Sequence, residues 1–204
     1  MVSPFFGGGS IEIHYANQNV LVHGYEIFEP LVNFWQQVLS NPNKVADHLE
    51  GLFYPCTEEM FKKYQEKHCY DHEDGKYEDN KMWRACMYYA LNRSSFSGAT
   101  TSGGFSKEAA EKRYTQSSID RLRDFECTFL TVSQADFKDS IAKHNDDTFI
   151  YADPPYAIDN PVLYGDKGST HKHFDHVGFA EAIKKKNKWI ISYNDNKYIR
   201  DLYQ

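Results

Sequence analysis

The chain has no apolar run approaching the roughly 18 residues that a membrane-spanning helix needs. Its N-terminus has neither the basic start nor the small-residue cleavage site of a signal peptide. A soluble, cytoplasmic protein is therefore expected. Cysteine is sparse: Cys56, Cys69, Cys86 and Cys127 form no C-x-x-C pair and, without an export signal, are expected as reduced thiols. There is no internal repeat and no low-complexity tract. Positive charge is also short, with a formal net charge of -6 and a pI of about 5.8. That balance argues against a nucleic-acid partner held by overall charge alone. What remains is 204 residues with 41% hydrophobic content, enough for one α/β-sized domain and a smaller insert.

Charge is unevenly placed. Between Lys81 and Arg123 eight basic residues face three acidic ones, a local balance of +5, whereas residues 1–50 carry five carboxylates and one lysine. Such a stretch is either a solvated helix face or a contact for a polyanion. It contains LNRSSFSGATTSGGFS, whose Ser, Thr, Asn and Gly predict an exposed loop or hairpin with little of it in the core. Basic side chains among small hydrogen-bonding groups suit phosphate and groove contacts.

Apolar runs alternate with helical patterns along the rest of the chain. VSPFFGGGS is an apolar start that breaks into three glycines, IEIHYA a first helical stretch and VLVHGYEI a short buried strand. EPLVNFWQQVLSNP reads as a helix, with Pro30 in its first turn and Pro42 just past its end. Residues 43–80 predict helices and a loop outside the sheet. CTFLTVSQADF, TFIYADPPY and KWIISYND then read as strands, and KDSIAKHN and FAEAIKKKN as helices. Strands alternating with helices point to a mostly parallel sheet. Lys184, Lys185 and Lys186 are expected as the solvated end of a helix.

Ligands of such a sheet sit beyond the carboxyl ends of its strands, and the unusual residues fall there. Gly7, Gly8 and Gly9 allow a tight turn and a close approach by a ligand. Glu26 lies at the next strand end, 17 residues after Gly9, close to the roughly 20-residue spacing of an acid that binds ribose hydroxyls. Loop and acid together predict a nucleoside-cofactor site. Asp136 is either a third carboxylate on this rim, with Phe137 packing on a purine, or an ordinary helix cap. At 149–158, FIYADPPYAI ends a strand with an acid, two prolines and a tyrosine. The prolines remove two donors and turn the carbonyls outward. Asp153 and Pro154 thus offer adjacent acceptors for the two hydrogens of an exocyclic amino group, with Tyr156 flat against its ring.

With these motifs in this order, the chain resembles the D12-class (Dam-like) DNA adenine N6-methyltransferases of the alpha group of amino methyltransferases. SPFFGGGS is similar to the cofactor motif, GYEIFEPLVNFW to the strand-end acid and its helix. LNRSSFSG, SGGFS and RYTQSSIDRL are similar to the target-recognition insert, and ADF, YADPPY, LYGDKGSTHKHFDH and WIISYND follow in family order. The resemblance implies a Rossmann-like α/β fold, with a catalytic domain of residues 1–45 and 124–204 and an insert of 46–123. It implies S-adenosylmethionine over Phe6, Gly7, Gly8 and Gly9, its ribose on Glu26, its adenine against Ile27 with Asp136 and Phe137 near the edge, and Asp153 close by. It implies double-stranded DNA as partner, held by Arg93 with Asn92, Ser94, Ser95 and Lys107 and by Arg113, and a cognate restriction endonuclease beside it. The target base would be flipped onto Tyr156 and held by Asp153 and Pro154, with Pro155 fixing the turn.

The family's pattern carries a lysine-bearing segment ahead of the cofactor motif and a further strand after the position of DLYQ, so a catalytic domain shortened at both ends is expected. Cytosine N4 as acceptor, or an inactive cofactor- or DNA-binding module, are the alternatives. No metal is expected. His171, His173, Asp175 and His176 resemble the family's turn before a helix, and Cys69 with His68 and His72 is a weaker cluster still.

Overall fold

Short β-branched and aromatic runs pair side by side in the computed structural model, which describes residues 1–74, 80–157 and 174–204. Five strands, β1 (Val2–Ser3), β2 (Val22–Glu26), β3 (Leu130–Gln134), β4 (Ile150–Ala152) and β5 (Trp189–Ile191), form a wholly parallel sheet in the order β3-β2-β1-β4-β5. The edge strand β3 alternates, with Leu130 and Val132 buried and Thr131 and Ser133 exposed, as the two-residue pleat requires. Helices α1 (Ser10–Ala16), α8 (Phe137–Ala142), α9 (His176–Ile183) and α10 (Lys197–Tyr203) accompany the sheet. Its core joins Val2, Tyr25 and Ile150 to Phe137 and Ile141 of α8 and Phe179 and Ile183 of α9. This is the expected α/β class.

The chain forms two compact units. One contains Met1–Val32 and the described sheet region from Cys127 onward; the other is Asn33–Glu126. The helix α2 (Glu29–Ser40) carries Pro30 in its first turn, as expected, and buries Val32, Trp35 and Val38 at helical spacing. Pro42 does not merely follow that helix: it opens α3 (Pro42–His48), because proline needs no amide donor in a first turn. In the second unit α4 (Glu58–Asp74) and α6 (Lys107–Arg113) pack on α5 (Lys81–Ser94), which is buried from Ala85 to Leu91, while α7 (Gln116–Arg123) packs on α3. Tyr89 of α5 stacks on Phe34 at 5.5 Å.

Two local expectations are corrected. LNRSSFSGATTSGGFS is less exposed than its composition predicts: LNRS completes α5, and Leu91, Ser94, Ser95 and Thr100 are buried, while Phe96 and Ser97 are exposed. Side-chain bonds replace solvent there, since the Asn92 amide donates to Gly98 O at 3.0 Å and Thr100 N–H donates to Ser95 Oγ at 2.9 Å. Lys186 is not solvated like Lys184 and Lys185. Its side chain is only 7% exposed, and Nζ donates to His144 O at 2.6 Å and pairs with Asp146 at 2.9 Å.

Candidate active site

The strand order reverses between β1 and β4: the chain runs outward from β1 through β2 to β3, then crosses to β4 and β5 on the other side. Loops at such a switch point diverge and leave a crevice beyond the strand ends. The glycine loop leaves β1 and the Asp153 segment leaves β4, so the two suspected motifs flank that crevice.

The loop is shaped around one ring. Phe6 is 2% exposed and lies beneath both Gly9 and Gly24. A Cβ on Gly9 would stand 2.5 Å from the ring, and one on Gly24 2.3 Å. Gly7 and Gly9 also adopt positive φ, 51° and 68°. By contrast, nothing lies within 4 Å of a Cβ built on Gly7 or Gly8, so the outer side of the turn is open. Glu26 closes the loop: one carboxylate oxygen accepts from Gly7 N–H at 3.1 Å and the other from Ile27 and Phe28 N–H at 2.9 and 3.0 Å. Ile27 beside it is 55% exposed, an apolar surface at the rim.

On the other side of the crevice, Asp153 is exposed and Pro154 buried. The segment after β5 braces this turn. Ser192 N–H donates to Ala152 O at 2.9 Å, Tyr156 shares a hydrogen bond with Ser192 Oγ at 2.9 Å, and the Asn194 amide donates to Ala157 O at 2.8 Å. The Tyr156 ring, 39% exposed, stands 6.3 Å from that of Tyr193. An open glycine cradle, a strand-end acid and a braced acid-proline turn thus share one rim.

A family model described as "D12 class N6 adenine-specific DNA methyltransferase" matches residues 1–204. The chain belongs to this family. It is also 24% identical over 221 residues to a "DNA adenine methylase" of Vibrio cholerae serotype O1, classical Ogawa strain, across 100% of this chain and 76% of the relative. The protein of the same name in the El Tor Inaba strain gives the same figures. Membership in a methyltransferase family implies a methyl donor and DNA as substrate.

Other expected methyltransferase site residues are placed variously. Asp136 caps α8, its carboxylate accepting from Asp139 N–H at 2.9 Å. Phe137 is 9% exposed and packs in the sheet core against Phe5, Phe174 and Phe179. The six residues carried over for DNA belong to the other unit. Lys107 is exposed, Arg93 lies with its guanidinium 5.3 Å from the centre of the Tyr89 ring, and Asn92 braces its own loop. Ser94 and Ser95 are buried, and Arg113 donates to the Ser95 carbonyl. Their side chains build the loop from inside.

His171 and His173 lie outside the described residues, as do the side chains at 68, 69 and 72. Asp175 caps α9 through Gly178 N–H at 2.8 Å and pairs with Lys138 at 3.0 Å, which pulls its carboxyl below the usual range. His176 shares a hydrogen bond with the Tyr193 hydroxyl at 2.6 Å. Among the described residues no three His, Cys, Asp or Glu side chains form a metal-binding group, and no helix is long and apolar enough to cross a membrane.

Sequence reasoning passed over four residues of this rim. Ser192 and Asn194 brace the Asp153 turn; their signal was the polar run SYND directly after a strand. Ser3 and Glu12 are the others. Glu12 is 3% exposed and accepts from Ser3 Oγ at 2.5 Å. Burial pushes its carboxyl up, the Ser3 bond opposes this, and the nearby charge of Asp153 adds to the rise.

Proposed function

We propose that the protein transfers a methyl group from S-adenosylmethionine to the N6 nitrogen of adenine in double-stranded DNA, at a specific site, inside the cell. The observation that carries this reading is the pairing of an open Gly7–Gly8 turn after β1 with Asp153 after β4, across a strand-order switch. The cofactor fits these residues: the turn leaves room for a ligand, Glu26 offers acceptors to ribose hydroxyls, and Ile27 offers an apolar surface to a purine. Asp136 contributes from the cap of α8, with Phe137 behind it in the core. When bound, the cofactor supplies a methyl group on a positively charged sulfur, which is electrophilic without further activation.

The protein's part is orientation and electrostatics. A stacked adenine cannot present N6 to a recessed methyl group, so the base must leave the duplex at a cost of a few kcal/mol. Stacking on Tyr156 returns about 1–3 kcal/mol. The Asp153 carboxylate and Pro154 carbonyl accept the two N6–H bonds, with Pro155 locking the turn. This draws the nitrogen lone pair out of the ring's conjugation and aims it at the methyl group. No covalent enzyme intermediate is needed. Residues 46–123 form the target-recognition region of this reading, where Arg93 in the last turn of α5 and Lys107 at the start of α6 contact phosphates beside the loop held by Asn92, Ser94, Ser95 and Arg113. A restriction endonuclease of matching specificity is the partner against which such methylation protects DNA.

The test is incubation with deuteromethyl-labelled S-adenosylmethionine and unmethylated mixed-sequence DNA, followed by digestion and mass spectrometry of the nucleosides. Labelled N6-methyladenine is expected. Labelled N4-methylcytosine would move the acceptor, and no label in folded protein would make the chain a binding module.

A further inference from the structure

Helix α1 is turned against its hydrophobic pattern. Ile11 and Tyr15 are 40% and 41% exposed, while Glu12 and Ala16, four residues apart on another face, are buried at 3% and 2%. A buried carboxylate is costly unless paired. Among the described residues Glu12 has only neutral donors, the Ser3 hydroxyl and the N–H groups of Ile11 and Glu12, and no cation forms an ion pair with it. Among the described residues, the charge that reaches it is the like charge of Asp153.

The sheet explains that proximity. Val2 of β1 and Ile150 of β4 are paired in register, and both side chains enter the core with Phe179 and Ile183. The next residues, Ser3 and Tyr151, therefore face the opposite side, where Glu12 meets Ser3. Tyr151 in turn senses both Asp153 and Glu12, as well as Tyr156, beyond the effect of its own burial. Glu12 thus lies on α1 just below the rim, against Ser3 of β1 and beside the switch point. Glu26 ends the strand on one side of β1, and Asp153 follows the strand on the other side. On the cofactor reading above, the ribose sits at Glu26 and the accepting nitrogen at Asp153. The donor's charged end then has to span the strand whose Ser3 holds Glu12.

We propose that Glu12 is the counter-ion for the cationic methionine end of S-adenosylmethionine. The inference rests on the cofactor reading. A buried charge acts strongly over several ångströms because water does not screen it, so the unpaired carboxylate becomes an advantage once a cation arrives. That end carries two positive centres, the sulfonium and the α-ammonium, and either one satisfies the carboxylate.

Calorimetric titration with three ligands tests this. S-adenosylmethionine carries both cations, S-adenosylhomocysteine only the ammonium, and 5′-methylthioadenosine neither. Glu12→Gln is expected to weaken S-adenosylmethionine at least tenfold and to leave methylthioadenosine unchanged. A loss shared by S-adenosylhomocysteine assigns the ammonium, and a loss confined to S-adenosylmethionine assigns the sulfonium. Equal losses on all three ligands would overturn the inference, because they would mean a deformed loop, and so would no loss at all. The wild type gives a second readout should the variant fold poorly: its preference for S-adenosylmethionine over methylthioadenosine should fall as acid neutralises Glu12. Repeating this in Asp153→Asn separates the other facing carboxylate, and a preference flat with pH in both proteins would overturn the inference. Wild-type binding of methylthioadenosine, weakened in Glu26→Ala, tests the cofactor reading separately. Failure to bind any of the three overturns both.

Discussion

Gly7 donates its backbone N–H to Glu26 at 3.1 Å, so the acid at the end of β2 holds the loop that leaves β1. The same carboxylate accepts from Ile27 and Phe28. Replacing Glu26 with Ala leaves three backbone donors without that partner. A stability loss of about 1–3 kcal/mol is expected, with cofactor affinity down by roughly 10–100-fold from the lost ribose acceptors. Urea unfolding and calorimetry check the two effects separately. Retention of full affinity would remove Glu26 from the site.

Gly24 is predicted to be intolerant for a reason unrelated to chemistry. Its missing Cβ is the space the Phe6 ring occupies, 2.3 Å from where that atom would be. Gly24→Ala should cost about 1–3 kcal/mol by overpacking, and a smaller side chain at Phe6 should recover part of the loss in the double variant. Additive losses in chemical unfolding would contradict the contact.

Glu12 gives the free protein a pH signature. Burial raises its folded-state pKa above that of the unfolded chain, so the folded state holds the proton more tightly. Its contribution to stability is fully present below the unfolded carboxylate range and is lost as pH rises through the folded value. Glu12→Gln should therefore stabilise the cofactor-free protein at neutral pH and flatten the fall on its alkaline side. Thermal unfolding from pH 4 to 8 measures it. A variant less stable than wild type throughout would contradict the assignment.

Cys86 is predicted to be inert. Its thiol is fully buried and pushed up to about 12, so at pH 8 it stays protonated, and the thiolate is the reactive form. Cys56 is likewise raised by burial. Iodoacetamide at pH 8 should leave both unmodified in native protein and label them in denaturant, as read by peptide mass spectrometry.

Much of the sheet and its rim was legible from pattern. Alternation in LTVSQ, the glycine break after VSPFF and the proline stop after FIYAD each act locally, and each sits at the strand or strand end it predicts. What pattern missed depends on neighbours distant in sequence. Glu12 belongs to a mixed helical run and is met by the Ser3 hydroxyl from β1. Ser94 and Ser95 look like loop residues until Asn92 and Thr100 close the turn around them. Lys186 resembles its two exposed neighbours in composition, and only the carbonyl of His144 and the carboxylate of Asp146 distinguish it. Asp136 is a cap in this structure, one of the two roles its position allowed.

On the proposed reading Asp153 orients the accepting nitrogen while Glu26 and the glycine loop hold the donor. Single-turnover methyl transfer by Asp153→Ala, with cofactor affinity measured on the same preparation, tests it most directly. Transfer to adenine N6 at saturating cofactor should fall by about 10²–10³-fold, a larger factor than any change in the cofactor dissociation constant. Transfer at an undiminished rate would contradict the account.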